Sequence, residues 1–189
     1  LLASLMTFAV PAFAEEGGDQ MLDGTGETAL VLRYVFDGNA EDWTRNGYNG
    51  VLRGNGTSFI EDGQFGTVLS LPGGSNGNYV QIPGDALIGL DTVSVTGWIY
   101  AKSFTNYQRF FDFGQNTTRN FWVAPTTGTT EGYRARITIT GWQEEKGPMV
   151  PGIATNEWVH LAIVLDTANR TIKLYENGVL VGQEGNISL

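Results

Sequence analysis

NEWVHLAIVLDTANRTIKLYENGVLVG, residues 156–182, carries the strongest indication of the fold in this chain of 189 residues. Its first half is apolar at nearly every position from Trp158 to Leu165, as expected for a strand that is covered on both faces. Its second half holds two short runs on either side of Asn177-Gly178, a pair that readily takes the positive φ values of a tight turn. The stretch therefore predicts a buried strand followed by a β-hairpin.

Short strands and turns continue this pattern from residue 29 to the end of the chain. Apolar and polar side chains alternate in Thr92–Tyr100 and Tyr133–Thr140, and a period of two is typical of strands. Further strands are predicted at Ala29–Phe36, Thr57–Ile60, Thr67–Leu71, Tyr79–Ile82, Arg109–Phe113, Phe121–Ala124, Thr171–Tyr175 and Val179–Gly182. About ten strands with no helical period predict an all-β fold, a two-sheet antiparallel jelly-roll sandwich.

Both ends of the sequence carry their own signals. Residues 1–14 have no charge and end in Ala-Phe-Ala, the small-x-small pattern of a signal-peptidase site. This run is shorter than the roughly 20 apolar residues that span a bilayer, so it predicts a partial signal peptide, with a buried N-terminal strand or helix as the alternative. Residues 15–28 are acidic and glycine-rich, as in a flexible linker. The chain stops in what looks like another strand, and because a sandwich without its closing strands has an unpaired edge, we expect the protein to continue.

Charge and composition narrow the range of partners. The chain has 11 Lys and Arg against 20 Asp and Glu, and its net charge of -9 would be repelled by nucleic acid phosphates and by anionic membranes. It has no cysteine, which excludes disulfides and thiolate metal sites. We therefore expect no nucleic acid partner and no membrane partner after signal cleavage. The predicted signal peptide implies a secreted or cell-surface location.

Seven motifs, in sequence order, resemble the laminin G-like, concanavalin A-like jelly-roll modules of secreted bacterial glycoside hydrolases. Among them are FDFG at 111–114, WVHLA at 158–162 and LYENG at 174–178. The resemblance covers 29–189 and implies two facing antiparallel sheets, often with a structural calcium. It also implies a covalently linked catalytic domain downstream, of an arabinan- or hemicellulose-degrading type. Trp98 and Trp158 match positions that the family uses for its core. The family's closing strands, one of which supplies a metal carboxylate, would follow the end of this sequence.

The residues themselves do not predict a catalyst. Proteins of this fold that cleave β-glucans carry carboxylates two positions apart on one strand, because that spacing points both at the same sugar. No two of the 20 acidic residues have this spacing. Carboxylates from different strands could still meet, so the exclusion covers that mechanism only. The single histidine, His160, shares a strand face with Trp158 and Ala162. No nucleophile motif accompanies it, which favours a structural role.

A loop rich in Asp and Asn is the candidate metal site. Calcium prefers carboxylate, amide and carbonyl oxygens, and Asp37, Asn39 and Asp42 offer such groups among glycines. We predict a structural calcium at these three residues, with a solvated Asp- and Asn-rich turn as the alternative. Asp112 is a second candidate, for which capping of nearby backbone amides is the alternative.

Carbohydrate binding requires an aromatic platform for the apolar sugar face and polar groups for the hydroxyls. The predicted ligand-binding residues lie in or beside loops: Tyr107, Arg109, Trp122 and Trp142, with Asn106, Gln108 and Asn120 as polar partners. Packing inside the sandwich or under loops is the alternative for any one aromatic. The sequence thus predicts a noncatalytic module that binds a polysaccharide or oligosaccharide or packs against its enzyme as a structural partner. A protein-interaction or adhesion module without glycan affinity is the alternative, and a structural spacer is a third reading.

Overall fold

The structure of the protein is a computed structural model, and its described residues fall into two units that divide between Ile88 and Gly89. The predicted signal peptide and linker, residues 1–28, lie outside the residues that it describes. The described residues are 29–44, 46–73, 77–115, 118–127 and 132–187.

Four short strands form two antiparallel pairs in the first unit. Strand β1 (Val51–Arg53) pairs with β4 (Tyr79–Gln81), and β2 (Ser58–Asp62) pairs with β3 (Gly66–Ser70). A 3₁₀ helix follows at Gly84–Leu87. Strand β1 was not predicted from the sequence, since three residues are too few to show a period.

The predicted strand at Ala29–Phe36 is wrong, because residues 31–36 lie in no strand. Some of their backbone groups bond to the loop that contains Asp42 and not to a neighbouring strand. The Arg33 N–H donates to the Asp42 carboxylate at 3.0 Å, and the Arg33 carbonyl accepts from the Trp43 N–H at 2.9 Å. Backbone N–H and C=O groups need hydrogen-bond partners, and for the Arg33 N–H that partner is the Asp42 side chain.

Two four-stranded antiparallel sheets form the second unit. The remaining strands are β5 (Thr92–Tyr100), β6 (Phe111–Gln115), β7 (Arg119–Ala124), β8 (Tyr133–Thr138), β9 (Met149–Val150), β10 (Trp158–Asp166), β11 (Thr171–Glu176) and β12 (Val179–Glu184). We call the sheet with the order β12-β11-β10-β5 the hairpin sheet, and the sheet with the order β6-β7-β8-β9 the Trp122 sheet. A second 3₁₀ helix, Trp142–Glu144, lies between β8 and β9. No helix in the described ranges is long and apolar enough to cross a membrane.

The inner faces of the two sheets share one core. Val159, Leu161 and Ile163 alternate along β10 and are buried together with Val123 and Tyr133 of the Trp122 sheet. Each side chain of this size contributes about 1.5–3 kcal/mol when it leaves water. The two facing antiparallel sheets confirm the predicted all-β sandwich of the concanavalin A-like type.

The hairpin turn is the one that the sequence predicts. Asn177 and Gly178 both have positive φ, 49° and 81°, as a two-residue turn with the right twist requires. Asn177 also holds the turn against β10. Its N–H donates to the His160 carbonyl at 2.8 Å, and its Oδ1 accepts from the His160 N–H at 2.9 Å.

Trp98 and Trp158 do not belong to the core. The core-facing positions of β5 are Val93, Val95 and Ile99, and the period of two therefore turns Trp98 outward. Trp98 is 50% exposed, and its ring centroid lies 5.1 Å from that of His160. Trp158 is half-buried and packs edge to face against Tyr100 at 5.6 Å.

Candidate functional site

Trp122 is the centre of the candidate site. Its neighbours Phe121 and Val123 belong to the core, so alternation along β7 places Trp122 on the outer face of the Trp122 sheet. It lies opposite Asp112 of β6 and Arg136 of β8 in the sheet register. Trp122 is nevertheless only 2% exposed, because loop residues cover it.

A bulge before β6 brings Arg109 onto Trp122. The Phe110 N–H donates to the Val123 carbonyl at 2.8 Å, while Phe111 is the register partner of the same Val123. Two residues thus lie opposite one, and such a bulge redirects the side chains that precede it. The Arg109 guanidinium carbon comes to lie 3.7 Å from the centroid of the Trp122 ring, which is a cation–π contact.

Arg109 also fixes the loop from which it projects. Its Nη1 donates to the Tyr107 carbonyl at 2.9 Å, and its Nε lies 3.3 Å from the Asp112 carboxylate. The Gln108 N–H donates to the Thr105 carbonyl at 3.1 Å, and the Gln108 side-chain oxygen accepts from the Thr105 N–H at 3.2 Å. Gln108 is therefore engaged in the turn, although it was predicted as a ligand contact.

Tyr107 is the exposed aromatic of this loop. It has a φ of +60°, an outlier for a bulky residue, and its side chain is 53% exposed. Its ring lies 6.4 Å from Trp122 at an interplanar angle of 67°. Outliers of this kind cost about 1–3 kcal/mol and cluster at functional sites, so the position of this ring is a reason to place a binding function here.

The loop that carries Trp142 is linked to Trp122 through Glu145. The Trp122 Nε1–H donates to the Glu145 carboxylate at 3.2 Å, and the Glu145 N–H donates to the Trp142 carbonyl at 3.3 Å. Trp142 begins the second 3₁₀ helix and is 64% exposed. Trp122 thus connects two loops, one of which carries Tyr107 and the other Trp142.

Arg134 completes the arrangement, which we call the Trp122 cluster: Tyr107, Arg109, Trp122, Arg134 and Glu145. The Arg134 guanidinium carbon lies 5.7 Å from the Tyr107 ring, and its Nη2 donates to the Thr127 hydroxyl at 2.9 Å. Neither Arg134 nor Glu145 was predicted from the sequence as a site residue. Their only sequence signal is the outward position of Arg134 in the alternation of β8.

The structure brings together Tyr107, Arg109 and Trp122 of the predicted ligand-binding residues. The ring face of Trp122 is covered by Arg109, so Trp122 supports the exposed residues and does not offer an open platform. Asn106 is exposed beside Tyr107. Asn120 is 9% exposed on β7, and its Oδ1 has no hydrogen-bond partner among the described residues.

The arrangement around Asp42 does not fit the predicted calcium. Its two carboxylate oxygens accept hydrogen bonds from the N–H groups of Arg33, Thr44 and Tyr48 and from the Thr44 hydroxyl. A carboxylate has about four acceptor positions, and a cation would have to displace these donors. Burial raises the pKa of Asp42, but the hydrogen bonds outweigh it and leave that pKa below its ordinary value.

The other predicted metal ligands are engaged locally or exposed. The Asn39 side-chain oxygen accepts from the Glu41 N–H at 2.9 Å, as in an Asx turn, and Asp37 is exposed. Asp112, the second candidate, pairs with Arg109. Within the described ranges, no three His, Cys, Asp or Glu side chains are grouped closely enough to hold a metal ion.

Two facing antiparallel sheets that carry aromatic side chains on loops define a lectin-like β-sandwich. The chain belongs to the Laminin_G_3 family of the concanavalin A-like lectin/glucanases superfamily, whose model matches residues 73–188, more than half of its length. This membership fits a carbohydrate-binding or structural module. A search of curated proteins gave no match to the chain.

Proposed function

We propose that this chain is a noncatalytic carbohydrate-binding module of a secreted polysaccharide-degrading enzyme, of the arabinan or hemicellulose type. The observation that carries the proposal is the pair of exposed aromatic side chains, Tyr107 and Trp142, on two loops joined through Trp122. Membership of a lectin and glucanase superfamily supports it. The sequence offers no paired carboxylates on a strand, which supports the noncatalytic part.

Sugar rings have apolar faces that pack against aromatic side chains. Tyr107 and Trp142 each present more than half of their surface to solvent, so a glycan chain can reach the Trp142 ring and the part of the Tyr107 ring that Arg109 and Arg134 leave uncovered. The contacts of Trp122 with Arg109 and Glu145 hold the two loops before any ligand arrives. A site that is ordered in advance loses less conformational entropy when it binds.

Polar groups beside the two rings can bind sugar hydroxyls. Gln143 and Glu144 line a depression together with Trp142, and the Thr140 hydroxyl donates to the Glu144 carboxylate. On the other loop, Asn106 and the partly exposed Arg109 flank Tyr107. Amide, carboxylate and guanidinium groups supply both donors and acceptors for hydroxyls.

The benefit to an attached enzyme would come from proximity. Binding of the module to a polysaccharide converts the second encounter, that of the catalytic domain with the same chain, into an intramolecular event. Even weak affinity then raises the local concentration of substrate. The expected catalytic domain downstream and the secreted location belong to this proposal.

The test is affinity electrophoresis of the full chain in gels that contain arabinan, xylan or pectin. We expect retention by at least one glycan, and loss of that retention in Tyr107→Ala and in Trp142→Ala. Trp98→Ala is the matched control, because it removes a half-exposed aromatic from the outer face of the hairpin sheet. If Trp98→Ala abolishes retention and the other two variants keep it, the site is wrong. If the unchanged protein is retained by none of the glycans, the protein-interaction alternative is favoured.

A further inference from the structure

We propose that the Trp122 cluster selects acidic glycans, with Arg134 binding the carboxylate of a uronic acid residue whose ring packs on Tyr107. This inference rests on the proposed function and names the class of glycan. It follows from how the arginines of the cluster are paired.

Arg134 is a half-buried cation without a carboxylate partner within the described residues. Its Nη2 donates to a neutral hydroxyl, that of Thr127, and its Nε is buried without any acceptor in the described part of the chain. Buried guanidinium N–H groups are normally paired, and guanidinium forks match carboxylates in a bidentate way. Because Nε itself is covered by the protein, an anionic ligand would be bound by the terminal nitrogens of Arg134, Nη1 and Nη2.

Arg136 adds a second positive charge on the same face of β8. It lies two positions from Arg134, and both side chains are on the outer face. Burial lowers the pKa of Arg136, as does the charge of Arg134, whereas Glu145 and Glu184 act in the opposite direction. Like charges close to one another repel, and an anion bound at Arg134 would reduce this repulsion.

Tyr107 explains why the anion would be part of a sugar. The guanidinium carbons of Arg134 and Arg109 lie 5.7 Å and 5.9 Å from the Tyr107 ring centroid. A sugar ring packed on Tyr107 is therefore within reach of both arginines. Arg109 already shares its Nε with Asp112, which leaves Arg134 as the cation best placed to receive a carboxylate.

The net charge of -9 does not oppose this inference at short range. Charges in water are screened over about 8–10 Å at physiological ionic strength, so distant carboxylates have little effect on a group held in contact with Arg134. The overall charge instead disfavours nonspecific binding of polyanions. Selectivity for acidic over neutral glycans then depends on the guanidinium group of Arg134.

The experiment compares two glycans with the same backbone, polygalacturonate and its carboxyl-reduced neutral form, by affinity electrophoresis of the full chain. We expect the acidic form to be retained about tenfold more strongly or better, as for a hydrogen bond to a charged group. Arg134→Gln should remove this preference. Arg134→Lys should restore only part of it, because the charge returns without the fork. Arg119→Gln, an exposed arginine at the start of β7, is the control and should behave as the unchanged protein does.

Each outcome has one meaning. If the unchanged protein binds the acidic and reduced forms equally, the inference is overturned, and retention by neutral arabinan or xylan would leave the proposed function standing. Equal retention by poly-glutamate would show that the ligand is an acidic protein surface, which also overturns it. If no glycan is retained, the proposed function itself has failed. The comparison of the two glycans needs no variant, so it holds even if Arg134→Gln does not fold.

Discussion

The guanidinium carbon of Arg109 lies 3.7 Å from the centroid of the Trp122 ring. The same guanidinium donates to the Tyr107 carbonyl and pairs with Asp112. One side chain therefore connects the outer face of a strand to the loop that carries an exposed aromatic. The position of Tyr107 depends on this contact.

Arg109→Ala should lower the free energy of unfolding by about 0.5–2 kcal/mol, the range of a cation–π contact from exposed to desolvated sites. Arg109→Lys should lose less, since the charge stays near the indole. Unfolding in urea, followed by tryptophan fluorescence, measures both. Arg119→Ala on the same sheet is the control and should stay within about 0.5 kcal/mol of the unchanged protein. An equal loss in Arg109→Ala and Arg119→Ala would contradict the role of the contact.

Asp42→Ala should be destabilising by about 1–3 kcal/mol, because it removes the acceptor of the buried Thr44 N–H and of the part-buried N–H groups of Arg33 and Tyr48. Asp37→Ala, in the same loop but exposed, is the matched control and should be nearly neutral. Thermal melting of the two variants decides the matter. A neutral Asp42→Ala would show that the loop does not depend on this carboxylate.

The contribution of Asp42 should also depend on pH. Its pKa in the folded protein lies below the ordinary value of 3.8, so the carboxylate favours folding. This stabilisation is fully present above the ordinary pKa and is lost as the pH falls through the lowered folded value. Acid unfolding of the protein and of Asp42→Asn should therefore differ most above pH 4 and converge below it. Parallel curves across that range would contradict the assignment.

Calcium should leave the melting midpoint unchanged, because the Asp42 oxygens already accept four hydrogen bonds. An ion bound only in the folded state must raise the midpoint as its concentration increases. Melting of the full chain with chelator and with millimolar calcium measures this. A rise with calcium that Asp37→Ala abolishes would instead support the structural calcium that the sequence predicts.

Tyr133→Phe should lower stability by about 0.5–1.5 kcal/mol. The buried Tyr133 hydroxyl donates to the Tyr175 carbonyl at 3.3 Å and so links the two sheets of the sandwich. The substitution keeps the ring and removes only this bond. Tyr100→Phe, on the outer face of the hairpin sheet, is the control. Equal stabilities of Tyr133→Phe and the unchanged protein would show that the bond contributes nothing net.

Local pattern was enough to predict most of the strands. The alternation in β5 and the Asn177-Gly178 turn are properties of adjacent residues, and both are found where they were expected. The stretch at 29–36 was predicted wrongly because its apolar pattern says nothing about where its backbone hydrogen bonds go. Trp98 was wrongly expected in the core because the family resemblance was given more weight than the alternation along β5, which by itself places that residue on the outer face.

The candidate site was only partly predictable, for a different reason. Tyr107 and Arg109 are close in the sequence, so the prediction of a loop at this point places both in the same candidate site. Arg134 comes close to Tyr107 through the pairing of β8 with β7, and Glu145 reaches Trp122 from 23 residues further along the chain. Contacts between residues so far apart in the sequence have no local sequence signal. The covering of Trp122 by Arg109 depends on a bulge, which the sequence does not indicate either.

Because the backbone at Tyr107 is left-handed, the residue found at this position in related sequences would show whether the ring is under selection. Glycine would adopt the same conformation without strain, so a lineage that had no use for the phenol ring would be free to lose it. Persistence of an aromatic residue here among descendants of the same ancestral gene would mean that the ring has been retained against a standing thermodynamic disadvantage.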